Sequence, residues 1–145
     1  MVRVEKSVSI MAPVGKVFDY MADPKSNLEF MPGMMDIRDI HETENHIGTH
    51  FLWTYKMAGL RFEGETTVLE WVRNKRVVTQ GKGGISSKWF FTYEPIENGT
   101  ALSLVVEYDV PIPVLGKLAE VVIRKQNERE AELALSNIKA RMESQ

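Results

Sequence analysis

The chain of 145 residues has the size of a single domain, and its 43% hydrophobic and 26% charged residues are typical of a globular protein. A formal charge of -2 argues against a nucleic-acid partner, and the absence of cysteine excludes a disulfide framework, a thiolate metal site and a cysteine nucleophile. Because no apolar run is long enough for a membrane span and the N-terminus lacks a signal-peptide pattern, we expect a cytoplasmic protein without stable membrane insertion.

The N-terminal region predicts a strand followed by two short helices. Apolar and polar residues alternate over residues 3–10, which is the period of a half-buried strand, and Lys6 is the one exception. A helix is predicted to begin after Pro13, because apolar residues then recur at helical spacing. They are Val14, Val17, Phe18 and Met21. Asp23-Pro24 is a second start signal and predicts a short helix over residues 25–30.

The middle of the chain predicts an antiparallel meander, because turn signals separate segments rich in β-branched and aromatic residues. We expect six strands there, at about residues 34–43, 46–57, 60–72, 76–82, 86–95 and 100–109. The segment from 114 to 142 has no glycine or proline after Gly116 and predicts a long helix. The order β-α-α-β6-α predicts an α+β domain in which this helix covers the sheet. Side-chain facing stays open on strands 34–43 and 76–82, which alternate poorly.

Two predicted hairpins indicate which side chains face the long helix. A turn at Ala58-Gly59 pairs Met57 with Leu60, Tyr55 with Phe62, Trp53 with Gly64, and Phe51 with Thr66. A turn at Asn98-Gly99 pairs Tyr93 with Leu104, Phe91 with Val106, and Trp89 with Tyr108. The opposite faces are mostly polar, so a one-residue slip would bury charges. The inward face is therefore loaded with long aromatic side chains, and Gly64 leaves space opposite a tryptophan.

These inward aromatic side chains either fill a core or border a cavity. Three tyrosines and two tryptophans on one face need partners for their O–H and N–H groups, and a cavity with a few polar groups provides them more readily than a dry core. Methionines at positions 21, 31, 34 and 35 form either an adaptable wall of such a cavity or ordinary filling of a core corner.

Five segments, in this order along the chain, resemble the START-like or helix-grip superfamily. They are IMAPVGKVFDYMADP, IGTHFLWTY, GETTVLEW, NGTALSLVVEYDVP and IKARME. The resemblance implies a helix-grip fold, in which a curved antiparallel β-sheet of about seven strands wraps around a long C-terminal helix, and one START-like ligand-binding domain over residues 1–145. The superfamily includes polyketide cyclases and aromatases, coenzyme Q-binding proteins, lipid-transfer domains and the major birch-pollen allergen. These motifs therefore indicate fold rather than chemistry.

The resemblance implies a ligand cavity between the sheet and the long helix, near the short helices. We expect binding or transport of a hydrophobic small molecule, such as a lipid, a quinone or a polyketide-like compound. The expected ligand-binding residues are Phe30, Met34, Trp53, Tyr55, Phe62, Trp89, Phe91, Tyr93, Leu104, Val106, Tyr108, Leu118 and Val122. The alternative is a cyclase, aromatase or dehydratase that acts on a polyketide-like substrate, and the third hypothesis is a partner-binding module.

Residues with metal or phosphate chemistry do not form a recognisable site in the sequence. His41, His46 and His50 have no carboxylate or thiolate partners at ligand spacing, and we expect them on the solvated surface. The glycine-rich stretch GKGGISSK lacks the ending of a phosphate-binding loop. We therefore expect no metal and no cofactor.

The inward tyrosines are the candidates for acid-base chemistry. Tyr55, Tyr93 and Tyr108 serve either as hydrogen-bonding anchors for a ligand oxygen or as proton donors in catalysis. The sequence offers no acid and base that can be named as a pair, so no catalytic residue is assigned.

The long helix carries two apolar stripes on nearly opposite sides. The first consists of Val114, Leu115, Leu118, Val121 and Val122, and the second of Ala131, Leu135, Ile138 and Met142. The charged stretch RKQNERE, residues 124–130, separates them. Either the helix bends or breaks there, or one stripe faces a partner, a membrane surface or the cavity mouth, which leaves a homodimer open.

Overall fold

The computed structural model describes residues 2–57, 59–83, 86–109 and 116–144, without the side chains of residues 57, 116–120, 122 and 123. The strands are β1 (Val2–Ile10), β2 (Met34–His41), β3 (His50–Met57), β4 (Leu60–Val72), β5 (Arg76–Gly83), β6 (Ser86–Ile96) and β7 (Gly99–Asp109). The helices are α1 (Val14–Ala22), a short 3-10 helix (Pro24–Ser26), α2 (Asn27–Phe30) and α3 (Gly116–Glu143). This is the predicted element order.

Within the described residues, the seven strands form one antiparallel sheet in the order β1-β7-β6-β5-β4-β3-β2. Consecutive strands from β2 to β7 are neighbours, and β1 closes the far edge by pairing with β7. The sheet is curved and α3 lies against it, with most of its contacts on β1. The predicted α+β helix-grip fold is thus confirmed.

The helices between β1 and β2 form where the sequence predicts them. Pro13 precedes α1, and the buried side chains of Val17 and Phe18 anchor that helix to the core. The Asp23 carboxylate accepts a hydrogen bond of 3.0 Å from the backbone N–H of Lys25, which caps the short 3-10 helix. These helices close one side of the space between the sheet and α3.

The first predicted hairpin is confirmed and the second is corrected. Strand β4 pairs with β3 in the predicted register, whereas Ile96 pairs with Gly99, so the second turn lies at Glu97-Asn98 rather than at Asn98-Gly99. Asn98 takes the positive φ of 64°. A Cβ atom on Gly99 would lie 2.1 Å from the carbonyl oxygen of Ile10, so this glycine permits the close approach of two backbones.

The corrected register moves the predicted pairs of the second hairpin by two residues. Phe91 lies opposite Leu104, Tyr93 opposite Leu102, and Trp89 opposite Val106. A shift of two residues leaves every side chain on its predicted face. The loop before β3 is also longer than predicted, because the chain turns through positive φ at His46 and Gly48, and β3 begins at His50 rather than at residue 46.

Irregular pairing changes which side chains face inward on β2 and β4. The register between β4 and β5 shifts between Val68 and Glu70, so that Val68 and Trp71 both border the inner side of the sheet. Strand β2 shifts between Met34 and Asp36 and again between Arg38 and His41. The poor alternation of this segment in the sequence reflects these bulges.

Helix α3 runs from Gly116 to Glu143 without a break, so of the predicted bend or break near residues 124–130, the break is wrong and the bend stays a prediction. The second stripe is buried against the core, whereas Val121 of the first stripe is 44% exposed. The other members of the first stripe lie outside the described residues or have undescribed side chains. Lys6, the exception on β1, donates a hydrogen bond of 2.8 Å to Glu132 on this helix.

A group of completely buried side chains lies between the C-terminal half of α3, β1, β7 and α1. Ile10, Val17, Leu102 and Ile138 are each 0% exposed there. We call the region around these four residues the packed end. In the part of the chain that the structure describes, no helix is both long and apolar enough to cross a membrane.

Candidate functional site

A cavity of about 170 Å³ lies between the inner face of the sheet and the helices. Strands β3 to β7 form its floor, α1 and α2 form one side, and the middle of α3 covers it. Its walls are mainly aromatic, aliphatic and methionine side chains with a small set of polar groups, a composition typical of sites for apolar small molecules.

The structure brings most of the predicted site residues to this cavity. Of the predicted residues whose side chains are described, all but Phe62 border it. Phe62 is half-buried on the inner side of β4 and packs against the core outside the cavity lining. The side chains of Leu118 and Val122 lie outside the described residues. Of the predicted methionine wall, Met21, Met31 and Met34 border the cavity, whereas Met35 is 53% exposed.

Gly64 explains how Trp53 fits into the floor of the cavity. A Cβ atom at Gly64 would lie 2.5 Å from Cζ2 of Trp53 and 2.4 Å from the carbonyl oxygen of Lys82. The predicted space opposite this tryptophan is therefore present, and the indole ring occupies it. Because no larger residue fits between the ring and β5, this glycine sets the orientation of the indole.

Two polar pairs join the sheet to α3 across the cavity. The hydroxyl of Tyr55 donates a hydrogen bond to the Glu130 carboxylate, which also accepts a 3.4 Å hydrogen bond from Gln126. The side-chain amide of Asn127 donates to the hydroxyl of Tyr108 at 2.5 Å. Asn127 and Glu130 are three residues apart and share a face of the helix, so both point at the sheet.

Glu130 and Asn127 are the main site residues that the sequence analysis missed. Both belong to the charged stretch that separates the two apolar stripes of α3. Helical spacing could have identified them as inward-facing residues. Asn127 lies four residues before Ala131, and Glu130 lies four residues before the buried Ala134. The second stripe therefore continues into polar residues where the cavity begins.

The cavity tyrosines keep their protons to unusually high pH. Burial, together with the hydrogen bond to Glu130 and its charge, raises the pKa of Tyr55. Burial is the main reason that the pKa of Tyr108 rises to about 12, and burial alone raises the pKa of Tyr93. All three are neutral phenols near pH 7, which can donate or accept hydrogen bonds but do not act as bases.

The loop between β2 and β3 forms the solvent-facing part of the cavity wall. His46 is exposed, as predicted, but its ring stacks on Trp71 with 4.1 Å between ring centroids, and both residues border the cavity. Trp71 was missed because strict alternation along β4 would turn it outward, and the irregularity before Glu70 brings it in. Glu42, also exposed, borders the cavity from the same loop.

The other two histidines lie where β2 ends and β3 begins. The rings of His41 and His50 stack with centroids 4.9 Å apart, and Nδ1 of His50 lies 3.0 Å from the carbonyl oxygen of Gly48. Among the described residues, no group of three or more histidine, aspartate or glutamate side chains is arranged to hold a metal ion.

Solved structures with the same fold span nearly the whole chain. The protein TTHA0849 of Thermus thermophilus has a TM-score of 0.85 at 18% identity, with 99% of this chain and 98% of that chain covered. A START superfamily protein from Mycobacterium smegmatis has a TM-score of 0.81 at 16% identity, with coverage of 98% and 97%. The Zhui aromatase/cyclase from Streptomyces sp. R1128 has a TM-score of 0.82 at 14% identity, with coverage of 98% and 93%. Identities this low establish the fold alone.

The comparison with curated proteins found no match. The family model described as polyketide cyclase / dehydrase and lipid transport matches residues 1–143. Since this match covers almost every residue, and the curved sheet, the long helix and the largely apolar cavity agree with it, the chain belongs to the polyketide cyclase/dehydrase and lipid transport family.

Proposed function

We propose that the protein binds a hydrophobic small molecule in the cavity between the sheet and α3. The observation that carries this proposal is the cavity itself, whose lining is mainly apolar and whose floor is rich in aromatic side chains. The family description, which joins polyketide cyclases with lipid transport, supports an apolar ligand. Lipids, quinones and polyketide-like compounds are the ligand classes to test.

The predicted residues that border the cavity are the proposed ligand contacts. Trp89, Phe91 and Val106 supply apolar surface from adjacent strands, and Met34 supplies a flexible side chain from the start of β2. Tyr55 and Tyr108 mark the polar side of the cavity beneath α3. A ligand is thus expected to place its apolar body over the sheet and its polar atoms toward the helix.

Native mass spectrometry of the purified protein, followed by extraction of any retained compound, is the direct test. Candidate ligands are then compared by isothermal titration calorimetry and by the shift of the unfolding temperature, which binding to the folded state must raise. If no apolar compound is retained and none raises the unfolding temperature, the proposal fails.

A matched pair of variants separates binding in the cavity from binding elsewhere. Ala131→Leu adds three carbons to a side chain of α3 that borders the cavity, and Ala140→Leu makes the same change at an exposed position of the same helix. We expect the first variant to weaken ligand binding by roughly tenfold or more, because a filled cavity excludes the ligand, and the second to leave it unchanged. Equal affinities in both variants would place the ligand elsewhere.

Catalysis of cyclisation or dehydration is a second candidate function, and the contact between Tyr55 and Glu130 favours it. A phenol that donates and a carboxylate that accepts stand side by side in an apolar cavity, as general acid-base chemistry on a polyketide-like chain requires. Tyr55→Phe and Glu130→Gln should then abolish turnover of such a chain while leaving its binding largely intact. Undiminished turnover in both variants would remove this mechanism.

A further inference from the structure

The charges that border the cavity are unevenly distributed. Apart from the neutral tyrosines, its ionisable lining residues are Glu42, His46 and Glu130, and no lysine or arginine lines it in the part of the chain that the structure describes. Glu42 and His46 are exposed on the loop before β3, where water screens them. Glu130 is therefore the charge that a ligand meets inside, beneath α3.

The Glu130 carboxylate can accept more hydrogen bonds than it receives in the structure. An ionised carboxylate has about four lone-pair sites. Tyr55 donates to one oxygen, and Gln126 lies 3.4 Å from the other, the distance of a weak hydrogen bond. A donor on a ligand can fill the remaining sites.

Tyr108 supplies a hydrogen-bond donor beside the Glu130 carboxylate, which is an acceptor. Its oxygen accepts the hydrogen bond from Asn127, so its own proton can be donated to a ligand atom that accepts. Asn127 lies three residues before Glu130 on the same face of α3, so Tyr108 and the Glu130 carboxylate lie on the same side of the cavity. A group that both donates and accepts, such as a hydroxyl, matches both partners at once.

Arg124 is a described positive charge on the same side of the protein as Tyr108. Its charge acts on Tyr108, but its side chain is exposed and does not line the cavity. An exposed guanidinium is screened by water and salt, whereas interactions within an apolar cavity are screened much less. Among the described residues, Glu130 is therefore the charge that acts most strongly on a ligand in the cavity.

From this arrangement we infer that the cavity selects ligands whose polar group is a neutral or cationic hydrogen-bond donor, a hydroxyl or a protonated amine, and rejects carboxylates and phosphates. The inference rests on the proposed function and restricts its ligand class. A donor gains the Glu130 carboxylate as an acceptor. An anionic group would be desolvated beside a like charge with no cation in the described lining to offset it.

Three naphthalene compounds test this inference with the unmodified protein. 2-Naphthylmethylamine, 2-naphthylmethanol and 2-naphthoate share one apolar body and present a cationic, a neutral and an anionic group at neutral pH. We expect calorimetry to show that the amine and the alcohol bind, and that the carboxylate binds at least about tenfold more weakly than the amine, because charge interactions are strong at low dielectric.

Carboxylate affinity equal to or above that of the amine would overturn the inference while leaving the proposed function standing. Failure of all three to bind or to raise the unfolding temperature would overturn both.

A matched pair of variants assigns the selectivity to one carboxylate. Glu130→Gln keeps the shape of the side chain and an acceptor for Tyr55 but removes the charge, and Glu132→Gln makes the same change on the exposed side of the same helix. We expect Glu130→Gln to bring the amine-to-carboxylate affinity ratio close to one and Glu132→Gln to leave it unchanged. An unchanged ratio in Glu130→Gln, with binding of the neutral alcohol retained, would contradict the inference. If Glu130→Gln does not fold, the order of affinities of the three naphthalene compounds for the unmodified protein still tests the inference.

Discussion

The interior between the sheet and α3 has two ends, the packed end and the cavity end, which differ in the side chains that both the sheet and the helix present. At the packed end, α3 presents Leu135 and Ile138, which are almost completely buried. One to three turns earlier, the same helix presents Asn127 and Glu130, and the sheet beneath them borders a cavity. The comparison shows that the cavity of this protein lies where the helix changes from apolar to polar side chains, above the aromatic part of the sheet.

Alanine substitutions at the two ends should differ most in their effect on stability. Ile138→Ala should lower the free energy of unfolding by about 2–5 kcal/mol, because it leaves a void among fully buried neighbours. Met34→Ala should cost about 1 kcal/mol or less, because that side chain already borders open space and has fewer contacts to lose. Urea denaturation measures both.

Two further variants control this contrast. Leu133→Ala, on the exposed side of α3, should change the free energy of unfolding by less than about 0.5 kcal/mol. If Ile138→Ala does not fold, Ile138→Val should still cost about 0.5–1.5 kcal/mol. A Met34→Ala cost as large as that of Ile138→Ala would mean that the cavity end is as tightly packed as the other.

A substitution of Gly64 tests whether the cavity end also contains tightly packed contacts. Gly64→Ala should lower the free energy of unfolding by about 1–3 kcal/mol, because its Cβ atom would overlap Trp53 and the backbone of Lys82. The matched change Gly15→Ala, in α1, introduces a Cβ atom with nothing within 4 Å and should leave stability unchanged or slightly raised. Equal stability of the two variants in urea denaturation would refute the described position of the indole.

The buried tyrosines predict how the free energy of unfolding depends on pH. The pKa of Tyr108 rises to about 12 and that of Tyr93 is also raised, so the folded protein should keep both phenols protonated at about pH 10 to 11, where the unfolded chain loses those protons. The unfolded state then binds fewer protons than the folded state, and the free energy of unfolding should fall as the pH rises above about 10.

Spectrophotometric titration of folded and denatured protein measures this difference directly. Tyr93→Phe should reduce the slope of stability against pH by up to about 1.4 kcal/mol per pH unit, the contribution of one proton. Ordinary ionisation of every tyrosine near a pH of about 10 in the folded protein would contradict the described burial.

The sequence predicts the elements and the inward face because those depend on strong local patterns. Period-two alternation in β3, β6 and β7 and the polar residues on their other face determine which side chains point at the helix. The shift of the second hairpin by two residues did not change that face. The contact between Gly99 and Ile10 that accompanies the shift joins residues far apart in the chain, and local turn preferences do not contain it.

The polar side of the cavity was not predicted because its residues resemble a solvated surface. Glu130 and Asn127 lie in a run of charged residues, and only their spacing from Ala131 and Ala134 distinguishes them from exposed neighbours. Trp71 was missed because the irregularity before Glu70 reverses the alternation of β4. The inward position of the polar helix residues and that of Trp71 both depend on tertiary contacts, which a regular sequence period does not contain.

The distribution of tryptophan gives the protein a built-in optical reporter. All three tryptophans of the chain, Trp53, Trp71 and Trp89, border the same cavity, and none lies at the packed end. The tryptophan fluorescence of the protein therefore originates at the cavity walls, so a molecule that enters the cavity should change this emission without any added dye. Substitutions confined to the packed end should alter stability but leave the tryptophan emission of the folded protein nearly unchanged.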